Sequence, residues 1–161
     1  MIQPYTEDHR SAIKELIRQF RIETALLKAR DVQPSDQDLE NELNDYLKNG
    51  YSILLAFEEG ECAGFLVLRS LDGVWWVDTL FTVQKWRRKG IASALYAEAE
   101  KQCQDSEVDN LFVWVHPNNH RMLSFLKSRG YDVLNLIEVR KPWNNERLSR
   151  TYSFDDSELR Y

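Results

Sequence analysis

The sequence is poor in the residues that hold together small secreted or metal-dependent domains. It has two cysteines, Cys62 and Cys103, and three histidines among 161 residues. One cysteine pair excludes a multi-disulfide framework, and the histidines lack the spacing of metal ligands. No apolar run approaches the ~18 residues of a membrane span, and no apolar signal segment follows Met1. We therefore expect a cytoplasmic protein with reduced thiols, no membrane contact and no bound metal.

Basic residues are also in deficit, with 21 Lys and Arg against 26 Asp and Glu, for a net charge of −5. This balance argues against a nucleic-acid partner. Hydrophobic residues at 43 % and charged residues at 29 % are typical of a globular chain. The length predicts a single domain over residues 1–161, in which about 143–161 form a polar tail or an edge element.

Hydrophobic periodicity predicts the elements in chain order. A short strand at Ile2–Tyr5 precedes two helices, of which the second begins at a capping box on Ser35 and ends at Asn49-Gly50. Three strands joined by tight turns predict an antiparallel meander: Tyr51–Phe57, Cys62–Ser70 and Val74–Val83.

The second half of the chain alternates strands and helices. A helix over Gly90–Cys103 follows the meander, and then come a strand at Leu111–Val115, a helix ending at Gly130 and a strand at Tyr131–Val139. Strand–helix–strand crossovers imply parallel pairing there. The fold class is therefore mixed α/β, with an antiparallel meander followed by β-α-β-α-β and helices on both faces of the sheet.

Three cations stand out against the acidic background, at the junction between a strand and a helix. The residues Arg87-Arg88-Lys89-Gly90-Ile91-Ala92 follow the third strand of the meander. A helix start exposes unpaired N–H groups and the positive end of the helix dipole, and glycine lets the backbone approach an anion closely. Taken alone, the charge run is either a solvated helix start or an anion site. Because cations at this place oppose the dipole unless an anion is bound, the pattern is also typical of a pyrophosphate site.

This hexapeptide resembles the Q/R-x-x-G-x-G/A signature of the GNAT superfamily of N-acetyltransferases. The preceding residues Leu80 to Trp86 are similar to the family's strand and short loop. Downstream, Asn119 to Phe125 and then Arg129-Gly130-Tyr131 are similar to its Asn, helix and Gly-aromatic pattern. The resemblance covers roughly residues 51–139, and the two N-terminal helices also suit the family's order of elements.

The resemblance implies acetyl transfer from acetyl-CoA to a primary amine. Because the sequence shows no Ser–His–Asp arrangement, we expect direct attack by the amine in a ternary complex. The resemblance places the pyrophosphate on the N–H groups from Arg88 to Ala92 and the pantetheine arm on a bulged strand that splays from its neighbour. The cofactor residues it implies are Phe81, Thr82, Val83, Arg87, Arg88, Lys89, Gly90, Ile91, Ala92, Ser93, Asn119 and Phe125.

Asp78 is the candidate catalytic base, because it interrupts an otherwise apolar and aromatic strand. A carboxylate there either relays the amine's proton or attracts the ammonium; alternatively, it is only a hydrogen-bonded residue of the sheet. Leu126 stands where many family members have a tyrosine that protonates the thiolate. Tyr96, Tyr131 or water remain alternatives, although the two tyrosines are also typical packing residues. His116 is more typical of a turn than of a base.

The amine acceptor is expected between the first two helices and the Val74–Val83 strand. Acidic residues there attract a cationic amine or serve only solubility: Glu23, Asp31, Asp36 and Asp38. A small molecule and a protein or peptide amine both remain open as acceptors.

A non-catalytic acyl-CoA-binding sensor or assembly module is the alternative function. The apolar strand predicted at Tyr131–Val139 would be an exposed edge, which predicts a homodimer unless Trp143 and the tail fold back over it.

Overall fold

The computed structural model describes residues 1–108, 110–148 and 150–161, in two compact units, Met1–Trp114 and Val115–Tyr161. The first unit contains β1 (Ile2–Pro4), α1 (Arg10–Leu26), α2 (Asp36–Lys48), β2 (Ser52–Glu58), β3 (Glu61–Leu71), β4 (Val74–Thr82), α3 (Ile91–Asp105) and β5 (Leu111–Val113). The second unit contains α4 (His120–Ser128), β6 (Thr151–Phe154) and β7 (Ser157–Arg160). Among the described residues, no helix is both long enough and apolar enough to cross a membrane.

The first unit is built on one sheet with the strand order β1-β2-β3-β4-β5. Its first four strands pair antiparallel, and β5 runs parallel to β4 after the α3 crossover. The meander turns at Gly60 and at Asp72-Gly73 fall between the three strands that the sequence predicts. The predicted mixed α/β fold is confirmed, including the change from antiparallel to parallel pairing.

Helices α1 and α2 cover one face of the sheet because each carries an apolar stripe at helical spacing. The core on this face contains Ile13, Leu16, Ile17, Leu39, Leu43, Tyr46, Ile53, Leu55, Phe65, Val67 and Phe81. Phe65 and Val67 point to this face, so the intervening Leu66 of β3 points to the opposite one, which α3 contacts. The buried residues of α3 are Ile91, Leu95, Tyr96, Ala99 and Cys103. Helices therefore lie on both faces, as predicted.

A β-bulge at Asp78 interrupts β4. Val67 pairs with Thr79 and Leu68 pairs with Val77, so Asp78 has no partner residue on β3. The parallel pairing of β4 with β5 ends at Val77 opposite Val113, where β5 itself ends. The second half of β4 is thus unpaired on its β5 side within the described part of the chain. This opening corresponds to the splay that the sequence resemblance implies.

In the second unit, the strand predicted at Tyr131–Val139 is wrong, because residues 131–139 contain no regular element. Polar residues recur every third position there, at Asp132, Asn135 and Glu138, so neither face of a strand would be wholly apolar. The only strands among the described residues of this unit form the β6–β7 hairpin, within the segment predicted as a polar tail or edge element.

Candidate active site

The N-terminus of α3 has the geometry of an anion site. Gly90 is the N-cap residue, with φ +84° and ψ −3°, and the first hydrogen bond of the helix runs from Ala94 N to Gly90 O at 2.9 Å. The N–H groups of Ile91, Ala92 and Ser93 therefore have no acceptor within the helix. Ser93 is exposed in this first turn, so its hydroxyl is also available to a phosphate.

The three cations of the motif differ in their surroundings. The Arg87 guanidinium donates to both carboxylate oxygens of Glu23, at 2.6 and 2.7 Å, and through Nε to the Thr82 carbonyl at 2.8 Å. It thus ties α1 to β4. Arg88 and Lys89 are exposed, and the Lys89 ammonium lies 4.3 Å from the centre of the Trp86 ring. These two cations face solvent beside the N-terminus of α3, where an anion would approach.

The backbone of β4 presents alternate residues to its open side. Val83 N donates to Ala63 O on the β3 side at 2.9 Å. In an antiparallel pair, the backbone N–H and C=O groups of successive residues point alternately towards and away from the partner strand. Phe81 therefore also forms hydrogen bonds to β3, whereas the backbone groups of Leu80 and Thr82 point to the open side. Of the three strand residues predicted to serve the cofactor through their backbone, Thr82 has this orientation. Leu80 is a further residue that the motif did not indicate.

Gly64 of β3 lets β4 and α3 come together beside this backbone. A Cβ atom at Gly64 would lie 2.5 Å from Phe81 O, 3.2 Å from Thr82 Cα and 3.4 Å from a methyl group of Ile91. Two of these three atoms belong to the backbone, so no side-chain rearrangement would relieve the contact. The open half of β4 and the start of α3 are therefore held at a distance that only glycine permits.

Asp78 lies on the bulge, in contact with two neighbours. Its Oδ1 is 3.6 Å from Arg69 Nε, and its Oδ2 accepts a hydrogen bond of 3.4 Å from the Thr79 hydroxyl. The bulge changes the direction of β4 here, and Asp78 lines a cleft of about 420 Å³. Asp78 therefore joins the open part of β4 to a cavity large enough for a small substrate.

The wall of this cleft is acidic. It is lined by four carboxylates and one guanidinium, with amide and phenol groups between them: Arg21, Asp38, Asn41, Glu42, Asp45, Tyr46, Asn49, Tyr51 and Asp78. Five of these nine residues lie on α2, and Asn49 directly follows it, so a single helix supplies most of the polar wall. Such a wall attracts a cation, because the fields of its carboxylates add within the cleft.

Glu42 is held at the base of this wall by two neighbours. Arg21 binds its carboxylate through both oxygens, at 2.7 and 2.8 Å, and the buried Tyr46 hydroxyl donates to it as well. Burial, followed by the charge of Glu42, raises the pKa of Tyr46 above its ordinary value. Tyr46 therefore remains a neutral hydroxyl that orients Glu42 at physiological pH.

The acidic residues named from the sequence are distributed differently. Asp38 lines the cleft, whereas Glu23 binds Arg87, Asp36 pairs with Arg18 and Asp31 is exposed in the loop after α1. Sequence reasoning missed Glu42 and Asp45. They follow Asp38 by four and seven residues in one helix, so all three lie on one helix face. This spacing could have identified them from the sequence.

Asn119 and Phe125 lie in the second unit. Asn119 is the N-cap residue of α4, where its side-chain oxygen accepts from Met122 N at 3.2 Å. Phe125 lies on the same helix, and the Arg129 guanidinium is 5.9 Å from its ring centre. Leu126 is 4 % exposed. The roles that the resemblance implies for Asn119 and Phe125 at the pantetheine arm stay predictions.

The family model of the acetyltransferase (GNAT) family matches residues 12–131 of the sequence. The chain belongs to the GNAT acetyltransferase family. The match includes both helices of the acidic cleft, the bulged β4 and the N-terminus of α3, so it spans the residues assembled above. A search of curated protein sequences gives no match.

Solved GNAT structures share the fold at low identity. Aminoglycoside N-acetyltransferase AAC(6')-Iy in complex with CoA is 16 % identical, with a TM-score of 0.70 over 88 % of this chain and 93 % of its own. An aminoglycoside 6'-N-acetyltransferase from Acinetobacter haemolyticus is 17 % identical, with a TM-score of 0.70 over 89 % and 98 %. A ribosomal-protein-alanine N-acetyltransferase from Brucella melitensis is 16 % identical, with a TM-score of 0.68 over 89 % and 98 %.

Proposed function

We propose that the protein transfers the acetyl group of acetyl-CoA directly to a primary amine of a cationic acceptor. The observation that carries this proposal is the acidic cleft, which meets the open half of β4 at Asp78. The anion site at the start of α3 suits the pyrophosphate of CoA, whereas the carboxylates of the cleft suit an ammonium. The two halves of the site thus have the opposite charges that the two substrates require.

We place the cofactor on backbone N–H and C=O groups that form no hydrogen bond within a helix or the sheet. The N–H groups of Ile91, Ala92 and Ser93 bind the pyrophosphate, with Arg88 and Lys89 adding charge. The open-side groups of Leu80 and the N–H of Thr82, whose carbonyl already accepts from Arg87, bind the pantetheine arm. The Leu80 N–H is the candidate donor to the oxyanion of the tetrahedral intermediate.

Acetyl transfer requires a neutral amine, whereas a lysine-like amine has a solution pKa of ~10. Asp78 accepts the ammonium's proton, directly or through a water molecule, and the amine nitrogen then attacks the thioester carbonyl carbon. The C–N bond forms and the C–S bond breaks, giving an amide and CoA thiolate, while the second proton lost by the nitrogen passes to solvent. Because an unperturbed thiol has a pKa of only ~8.5, the thiolate leaves without a dedicated acid, which accords with Leu126 at the family's tyrosine position.

The acceptor class is tested by measuring thiol release from acetyl-CoA with three amines: a linear polyamine, an aminoglycoside and a peptide with an N-terminal alanine. We expect turnover with at least one polycation, and a raised acceptor KM in Asp45→Asn. Asp36→Asn is the matched control, since Asp36 lies on the same helix but pairs with Arg18 outside the cleft. A preference for the peptide would favour a protein acceptor.

The same experiment distinguishes the non-catalytic alternative. Calorimetric binding of acetyl-CoA without turnover of any amine would favour an acyl-CoA-binding module. Absence of CoA binding would contradict both functions.

We further propose that the protein acts as a homodimer in the cytoplasm. The predicted edge strand is not formed, but five apolar side chains in residues 131–139 remain 44–85 % exposed: Val133, Leu134, Leu136, Ile137 and Val139. A second copy of the chain would remove this apolar surface from water. The two cysteines are unbridged, which accords with a reducing compartment.

A further inference from the structure

Arg69 lies beside the proposed base, on the strand opposite the bulge. It pairs across the sheet with Trp76, two residues before Asp78, and its Nε is 3.6 Å from Asp78 Oδ1. This separation is longer than a hydrogen bond, so the contact is an ion pair. The Arg69 side chain is only 15 % exposed, which is unusual for a charged group without a specific role.

Two tryptophans hold this guanidinium in place. Its central carbon lies 4.6 Å from the centre of the Trp114 ring and 5.6 Å from that of Trp76. The two rings are themselves in contact, with centroids 4.7 Å apart. Cation–π contacts with both rings favour the charged guanidinium and leave its side chain little freedom to turn away from Asp78.

The Asp78 carboxylate is therefore contacted at both oxygens. Arg69 faces Oδ1, and the Thr79 hydroxyl donates to Oδ2 at 3.4 Å. The residue itself has no partner across the sheet, because it is the extra residue of the bulge. A bulge residue lacks the ladder hydrogen bonds that fix its neighbours, so its side-chain contacts decide where the carboxylate points.

We propose that Arg69 is a positioning residue for acetyl transfer, which holds the Asp78 carboxylate at the bulge and balances its charge. This inference rests on the proposed function, in which Asp78 receives the ammonium's proton. The positive charge of Arg69 also opposes the ammonium, so the acceptor is not trapped as a tight ion pair on Asp78. Arg69 thus stabilises the arrangement in which the amine reacts more than the complex in which the ammonium is only bound to Asp78.

The kinetic consequence is a split between kcat and KM. Arg69→Met keeps most of the side-chain volume but removes the charge. We expect kcat to fall by about 10- to 100-fold, because a misplaced catalytic group costs this much. The acceptor KM stays the same or falls, since Asp78 attracts the ammonium more strongly without its partner. The acetyl-CoA KM does not change, and Arg69→Lys restores part of kcat.

A double-mutant cycle with Asp78→Asn tests whether Arg69 acts through Asp78. In the Asp78→Asn background, Arg69→Met is expected to change kcat by less than about twofold, because the group that Arg69 positions is already gone. Arg21→Met is the matched control. Arg21 lines the same cleft but binds Glu42, so its effect is expected to be equal in both backgrounds.

The outcomes separate this inference from the proposed function. If the wild type acetylates amines and Arg69→Met lowers kcat equally in both backgrounds, or raises both KM values, Arg69 is merely structural and the inference is overturned. If Asp78→Asn leaves kcat unchanged, the proposed base is wrong and the inference with it, but the acetyltransferase stands. A wild type that acetylates no amine overturns both.

Discussion

Gly90 is the residue on which the anion site depends most directly. Its φ of +84° is in the left-handed region, yet a Cβ atom there would meet no atom within 4 Å. A substitution therefore adds backbone strain of about 1–2 kcal/mol without a steric clash. Because this strain is the same for side chains of similar shape, two variants of Gly90 that differ only in charge test whether the pyrophosphate binds nearby.

We predict that Gly90→Glu weakens CoA binding at least about tenfold more than Gly90→Gln, because only the glutamate repels the pyrophosphate. Both variants carry the same backbone strain, so their melting temperatures are expected to fall equally. Calorimetric titration with CoA measures the difference. Equal affinities in the two variants would contradict the placement of the pyrophosphate at the start of α3.

Cys62 illustrates a residue whose surroundings suppress its reactivity. Burial raises the pKa of its thiol to about 11 from an ordinary value of 9.0. Since only the thiolate reacts, modification of Cys62 by a disulfide reagent at pH 8 is expected to be about 100-fold slower than that of a free thiol. Stopped-flow absorbance measures this rate. Rapid modification of the native protein, absent in Cys62→Ala, would contradict the prediction.

At the scale of elements, α1 and α2 are joined by a charged cluster as well as by their apolar stripes. Glu40 of α2 accepts from Arg10 Nε at 3.1 Å and from Lys14 at 2.9 Å, both on α1. These contacts, with Arg10 contributing most, lower the pKa of Glu40 to about 2 from an ordinary value of 4.5. The cluster fixes α2, which supplies most of the cleft wall.

The sign of the resulting pH dependence follows from the lowered pKa. The folded state favours ionised Glu40, so its stabilisation is complete above pH 4.5 and is lost as the pH falls towards 2. We predict that Glu40→Gln lowers the melting temperature by a few degrees at pH 7, and that its difference from the wild type disappears near pH 2. Scanning calorimetry at several pH values measures this. A difference independent of pH would mean that packing, rather than charge, links the helices there.

The strands show which secondary-structure elements can be predicted from a local sequence pattern. The β2, β3 and β4 strands were predicted within about one residue, because runs of β-forming residues between glycine-containing turns specify a meander. The strand predicted at Tyr131–Val139 is wrong, although its sequence is also rich in apolar residues. β-Propensity favours a strand only where a partner and a buried face exist, and a single segment reveals neither.

At the scale of the whole molecule, the exposed apolar side chains of residues 131–139 predict self-association. We expect light scattering at micromolar concentration to give the mass of a dimer, and Leu136→Glu to shift it towards the monomer. Asn135→Glu is the matched control, because it adds the same charge to the same segment without removing an apolar side chain. A monomeric wild type would contradict the proposed dimer.

The sequence by itself determined the local parts of the site. The motif from Arg87 to Ala92 predicted an anion site at a helix start, because cations and a glycine before an apolar helix have few other uses at that place. Asp78 was noticed because a carboxylate in an apolar strand is costly without a purpose. These inferences need only neighbouring residues and the periodicity of helices and strands.

Only the tertiary structure determined which residues lie opposite these parts of the site. The bulge at Asp78 depends on a register shift between two strands, which neither strand reveals alone. The ion pair of Arg87 with Glu23 joins residues far apart in the chain. The contact between Arg69 and Asp78 crosses two neighbouring strands and depends on the register between them. The cleft likewise combines α1, α2, β4 and Tyr51 before β2. Packing of the elements sets these distances, and local propensities carry no information about them.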